Sequence, residues 1–208
     1  MRGIRSSSVL ELVHSDVCGP MKAESLGGAR YFITFIDDYS RICYVFFLKQ
    51  KSDAFEKFKE FEAQVTTMTG KKIKYLRTDN GGEYTSKQFE AFLKEKGIKH
   101  ELTCPYTPQQ NGVAERMNRT LQEIALAQLQ HSGLPTEFWA ESLMCANYVR
   151  NRMPSDAHKT TPYERWYKRK PSINHMRVFD CVSFVCIPAE KRKKMEKRSQ
   201  RMIFIGYG

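Results

Sequence analysis

Residues 71–86 read KKIKYLRTDNGGEYTS. Ile73, Tyr75 and Leu76 give this run the β-branched and aromatic content of a strand. Asp79-Asn80-Gly81-Gly82 then has the chemistry of a turn. Ser86 follows as a helix cap, with Phe89, Phe92 and Leu93 on an inward face and Gly97 as a stop. The next run, IKHELT (98–103), reads as another strand. Strand, helix, strand over so short a stretch is a crossover unit, and crossovers in one sheet are right-handed and parallel.

Upstream, LELVHSDV (10–17), RYFITFID (30–37) and ICYVFFLK (42–49) predict three strands, the last two joined by the short link DYSR as a hairpin. Ser52 opens a helix with Phe55, Phe58, Phe61, Val65 and Met68 on its apolar face, and Gly70 ends it. Downstream, CPYTPQQNG (104–112) is a loop. A long helix runs from about Val113 to His131 with Val113, Met117, Leu121 and Ile124 on one face. Gly133 and Pro135 separate it from a helix over 136–152. The fold class is therefore α/β: a ribonuclease-H-like, mixed five-stranded sheet with helices on both faces. Three parts are expected: an N-terminal extension (1–9), a core (10–152) and a basic C-terminal region (153–208) with strand-like runs at 178–187 and in MIFIGYG.

The chain has 208 residues, 41% hydrophobic and 12% aromatic, enough to bury a core, and a formal net charge of +11. The charge is uneven: residues 150–208 hold 15 Lys and Arg against 5 Asp and Glu. A basic block of this kind suits an acidic polymer, although a solvated lysine face has the same composition. The six cysteines form no C-x-x-C pair. Neither a zinc site nor a disulfide scaffold is expected, and a reducing compartment is. No signal peptide and no run of about 20 apolar residues is found, so neither secretion nor a membrane partner is expected.

Asp16 falls near the end of the first strand, Asp79 at the end of the fourth, and Glu115 in the first turn of the long helix. With the first and fourth strands adjacent, the three acids meet at one end of the sheet. Three carboxylates there repel one another and call for counter-charge. Hard oxygen ligands suit Mg²⁺ or Mn²⁺, and two such ions about 3.5–4 Å apart serve phosphoryl chemistry. Each acid also has a plain reading: Asp79 as a turn residue, Glu115 as a first-turn glutamate favoured by the helix dipole, Asp16 as a solvated strand end. Gln109, Gln110 and Asn111 are candidates for contacting DNA sugar or phosphate, with Asn111 alternatively a helix cap. Arg116 and Arg119, one turn apart, are candidates for a phosphate clamp or a solvated face. Lys191, Arg192, Lys193 and Lys194 open a charge run suited to DNA or nuclear targeting. Asp37 and Asp38 are assigned to a hairpin turn, and His14 to packing.

ELVHSDVCGPM, YFITFIDDYSR, LRTDNGGEY, YTPQQNGVAERMNRTL and RVFDCVSFVCIPAEKRKKMEKRSQRMIFIGYG occur in that order. Together they resemble the integrase of copia-type long-terminal-repeat retrotransposons, from about Leu10 onward. The resemblance implies a retroviral-integrase-like core whose metal-binding acids fall on Asp16, Asp79 and Glu115. It implies an enzyme, a Mg²⁺- or Mn²⁺-dependent polynucleotidyl transferase and endonuclease using two ions. Water would attack a phosphodiester near the element's cDNA end, and the freed 3′-hydroxyl would then attack target DNA. The implied partners are cDNA ends and target DNA, with self-assembly into a homo-oligomer. The implied location is the nucleus, after a cytoplasmic virus-like-particle stage. No set of two histidines and two cysteines precedes Asp16, so a fragment of a longer polyprotein, or a decayed or co-opted copy, is expected. Its alternative role is an inert or domesticated nucleic-acid-binding module. Asp180 stands where the family usually has glycine, which strains the turn if that position needs positive φ.

Overall fold

The computed structural model describes residues 5–103, 111–154 and 159–207. Its main sheet has five strands: β1 (Leu12–Cys18), β2 (Tyr31–Asp37), β3 (Cys43–Leu48), β4 (Tyr75–Thr78) and β5 (Lys99–Leu102), in the order β3-β2-β1-β4-β5. β1–β2 and β2–β3 are antiparallel, whereas β1–β4 and β4–β5 are parallel. The mixed sheet expected from the sequence is present, with β1 and β4 adjacent.

Alternation along the strands divides the core into two layers. Ile33, Phe35 and Leu76 face α1 (Ala54–Thr69) and α2 (Lys87–Lys96). Phe32, Ile36 and Val45 face α3 (Gly112–Ser132) and α4 (Trp139–Arg152). On the first face, Phe35 stacks on Phe61 at 4.4 Å between ring centroids, and Phe58 on Phe89 at 5.1 Å. Gly70, Gly97 and Gly133 end their helices in left-handed conformation, the geometry that favours glycine at a C-cap. Ser86 caps α2 as expected, accepting from the Phe89 amide at 3.2 Å.

Two expectations about α1 are corrected. Asp53, not Ser52, stands at its N-cap, and the Asp53 carboxylate accepts from the Lys49 and Gln50 amides of the turn that leads into it. Met68 is 44% exposed and lies off the buried stripe of Ala54, Phe58, Phe61, Glu62 and Val65. On α3 the buried stripe runs through Ala114, Met117, Leu121, Ala125 and Leu129, with Val113 and Ile124 only partly covered.

Beyond α4, α5 (Pro162–Tyr167) packs Trp166 into the first core layer, against Tyr44. β6 (Val182–Cys186) and β7 (Ser199–Ile203) form a separate antiparallel hairpin. The final strand therefore begins before MIFIGYG and stops at Ile203. Asp180 has φ 70°, the left-handed value that makes a glycine preferable there. No described helix is long and apolar enough to cross a membrane.

Candidate active site

β1 runs through the middle of the sheet, and its register with β4 pairs His14 with Arg77. Continued by two residues, that register sets Asp16 level with Asp79, the first residue after β4. The turn holding Asp79 is fixed by its own polar groups. The Gly81 amide donates to Asp79 Oδ1 at 3.1 Å, and Asn80 Nδ2 donates to the Thr103 carbonyl at 2.9 Å, tying the turn to the end of β5. Thr78 Oγ1 donates to the Asp79 carbonyl at 2.8 Å. Tyr84 is fully buried, with its hydroxyl 2.8 Å from Ser15 Oγ, so the segment TDNGGEY is bolted beneath β1. Asp79 is thus both a turn residue and an acid aligned with Asp16.

α3 crosses this end of the sheet. Asn118 is 3% exposed: its Nδ2 donates to Asp16 Oδ2 at 2.9 Å, and its Oδ1 accepts from Thr34 Oγ1 at 2.8 Å. One turn later Gln122 Nε2 lies 3.2 Å from Cys18 Sγ. Residues four apart share a helix face, so this polar stripe docks α3 along β1 and leaves Glu115 near the same carboxylates. Burial pushes the Asp16 carboxyl up to about 7, reinforced by the negative charges of Asp79 and Glu115 and opposed by the Asn118 bond. The three acids share one electrostatic environment.

Two further charged groups, not singled out from the sequence, border the site. A Cβ built on Gly81 would meet the Glu83 carboxylate at 2.8 Å and Asp79 Oδ1 at 3.0 Å. Glu83 therefore brings a fourth acid beside Asp79. Lys51 Nζ, 3.6 Å from Glu83 Oε1, supplies a cation there. Asn118 had a readable signal in its i+3 spacing from Glu115. Glu83 had none, since a glutamate after a Gly-Gly turn reads as solvated.

The set fits a hard divalent cation in donor type and in charge, because a half-buried carboxyl beside two like charges lacks counter-charge. Among the described residues, however, no three His, Cys, Asp or Glu side chains are grouped tightly enough to ligate one ion.

The remaining candidates are dispersed. Gln109 and Gln110 lie outside the described residues. Asn111 is 2% exposed, makes no side-chain cap bond, and points its Nδ2 at the Ser15 carbonyl 3.4 Å away. Asn111 thus holds the expected N-cap position of α3, where its carbonyl accepts from the Ala114 and Glu115 amides, but its side chain turns inward instead of capping. Arg116 and Arg119 are exposed on α3, but only Arg116 joins other arginines in a pocket. Lys191, Arg192, Lys193 and Lys194 lie in the β6–β7 connection, all but Arg192 exposed. His14 is buried with Nε2 3.0 Å from Asp38 Oδ1. Desolvation holds its pKa below the ordinary value, the Asp38 bond notwithstanding. Asp37 accepts from the Leu10 and Ser40 amides and so shapes the hairpin turn.

Residues 7–108 match the profile of the integrase core domain. These residues belong to the integrase core family. Its relatives include the retrovirus-related Pol polyprotein from transposon TNT 1-94 of Nicotiana tabacum, 49% identical over 205 residues that cover 98% of this chain and 15% of that polyprotein. The corresponding polyprotein from transposon RE2 of Arabidopsis thaliana is 32% identical over 206 residues, covering 98% of the chain and 14% of the relative. The chain thus spans about a seventh of the length of these curated relatives. Among solved structures, a simian T-cell lymphotropic virus intasome in complex with a PP2A regulatory subunit superposes with a TM-score of 0.65 at 17% identity, over 95% of this chain and 70% of that one. The HTLV-2 integrase catalytic core domain in complex with magnesium, in trimeric form, gives 0.58 at 19% identity, over 77% of this chain and 99% of that one. At such identities the likeness speaks for the fold: this integrase core has the ribonuclease-H-like sheet.

Proposed function

We propose that this integrase core catalyses metal-dependent DNA 3′-end processing and strand transfer, with Asp16, Asp79 and Glu115 as its metal-holding acids. The observation that carries this reading is the environment of Asp16. It stands on the central strand, level with Asp79 and within electrostatic reach of Glu115, and its carboxyl is raised by burial and by both charges. Two Mg²⁺ or Mn²⁺ ions, when bound, would supply the counter-charge, a lowered pKa for water, and stabilisation of the leaving oxygen. The chain's own residues prepare that place. Asn118 fixes the Asp16 carboxylate from one side, and the Gly81 amide fixes Asp79. Asp16 gives up its proton before it can serve as a ligand. His14 is not available as a general base, being buried and committed to Asp38.

The partners under this reading are cDNA ends and target DNA, with a homo-oligomer as the working form and the nucleus as the site of action. The magnesium and the trimeric form named for the HTLV-2 domain, and the intasome named for the simian virus, support it. The deciding experiment is divalent-dependent nicking of an element-end duplex. Wild type is expected to nick and Asp79→Asn is not, with DNA affinity equal in the two. A second reading, a nucleic-acid-binding module without catalysis, is favoured by the lack, among the described residues, of three ligating side chains grouped for one ion. It predicts no metal-dependent turnover in either protein.

A further inference from the structure

Four arginines from separated parts of the chain line one pocket of about 330 Å³: Arg5 near the N-terminus, Arg41 in the β2–β3 turn, Arg116 in the second turn of α3 and Arg150 near the end of α4. Four guanidinium groups gathered in one place repel one another. At Arg41 the compensating carboxylate is shared. Arg41 Nη1 lies 3.0 Å from Asp38 Oδ1, but that oxygen is also 3.0 Å from His14 Nε2, and the other Asp38 oxygen accepts from the Ser6 amide. Among the described residues, neither Arg116 nor Arg150 has a carboxylate within ion-pair distance. Arg41 sits at φ 66°, a left-handed backbone that a non-glycine residue adopts only where its surroundings enforce it. Burial lowers the Arg41 pKa most; Asp38 and Asp37 oppose it, and the charges of Arg5 and Arg116 add to the lowering, in keeping with their closeness.

We propose that this pocket is a phosphate-binding site that grips the backbone of DNA, separate from the acidic centre. Guanidinium forks match phosphate oxygens in pairs, and the excess positive charge is what a phosphodiester removes. Its position gives it a use. Arg116 follows Glu115 directly, and one residue on a helix is a rotation of about 100°. One turn of α3 therefore presents the acid to one flank and the phosphate grip to the next. Arg116 also lies back over the start of α3, its Nη1 3.3 Å from where a Gly112 Cβ would stand, beside the positive end of a 21-residue helix. The pocket anchors a strand to one side of the site where its phosphodiester is cut. The choice of DNA as the polyanion rests on the proposed function; the excess of positive charge does not.

The test is binding of a fluorescent DNA duplex in EDTA, followed by anisotropy between 50 and 200 mM salt, so that metal chemistry plays no part. Arg116→Gln/Arg150→Gln is expected to weaken binding about tenfold and to make the log–log salt slope shallower by about 2, near 0.9 for each phosphate no longer neutralised. Arg116→Lys/Arg150→Lys should keep most of the slope, and Lys57→Gln, on α1 across the sheet, should change nothing. If the glutamine pair melts early, Arg116→Gln alone carries the test with a slope change of about 1. A correctly folded glutamine variant with wild-type affinity and slope would overturn the proposal. A wild-type chain that shows this salt slope but does not nick DNA when Mg²⁺ is supplied would count against the acidic centre instead.

Discussion

Asp16 couples the candidate site to protein stability. Its carboxyl is raised from the ordinary 3.8 to about 7 in the folded chain. Between those values the unfolded chain has lost the proton while the folded chain keeps it. Stability is therefore fully present below about pH 4, falls as pH rises toward 7, and levels off above. Asp16→Asn removes that penalty: in EDTA the variant should be more stable than wild type at pH 8, on the order of 1–3 kcal/mol, with the difference gone at pH 4. Thermal melts across this range measure it, and equal melting temperatures at pH 8 would contradict the burial argument. Gly81 tests the site by space alone. Gly81→Ala drives a methyl into Asp79 and Glu83 at 2.8–3.0 Å, so nicking should fall at least tenfold while the melting temperature moves little. The three acids were legible because strand ends and a helix start are marked by local sequence. Glu83 and Lys51 were not, because their closeness depends on how a turn folds back toward the start of α1.

At the scale of elements, helix and strand identities followed from periodicity and from capping residues whose geometry is local: Ser86 and the three C-cap glycines behave as their sequence context dictates. The failures were tertiary. Met68 continues the apolar spacing of α1 but stays 44% exposed, its Sδ accepting from the Tyr44 hydroxyl at 3.8 Å, and Asn111 is drawn inward by the Ser15 carbonyl. The edge of the sheet shows another device with no sequence signal. On α4, Asn151 Oδ1 accepts from the Cys43 amide at 2.9 Å, and the Nδ2 groups of Asn147 and Asn151 donate to the Cys43 carbonyl at 3.0 and 2.8 Å. Helix side chains thus stand in for a neighbouring strand at β3. Asn151→Ala leaves the buried Cys43 amide without this partner, while the carbonyl keeps Asn147, and should destabilise the core by about 1–3 kcal/mol in denaturant unfolding. Asp180→Gly should do the reverse for the β6–β7 hairpin, relieving a left-handed backbone worth about 1 kcal/mol, read as slower amide exchange in that hairpin.

Over the whole molecule, charge and chemistry occupy different places. The carboxylates gather where β1, β4 and α3 meet, the arginine pocket flanks them, and the lysine-rich run forms the exposed connection of a separate hairpin. Replacing Lys191, Lys193 and Lys194 by Gln should leave the melting temperature unchanged and make the salt slope of DNA binding shallower by no more than about 3. The central claim is that Asp16, Asp79 and Glu115 together hold divalent cations. Titration calorimetry of Mn²⁺ into the protein at pH 8 tests it most directly, with Asp79→Asn alongside. Saturable binding by wild type, abolished in Asp79→Asn without change in its melting temperature in EDTA, is the result predicted. Equal binding by both proteins, or none by either, would contradict it.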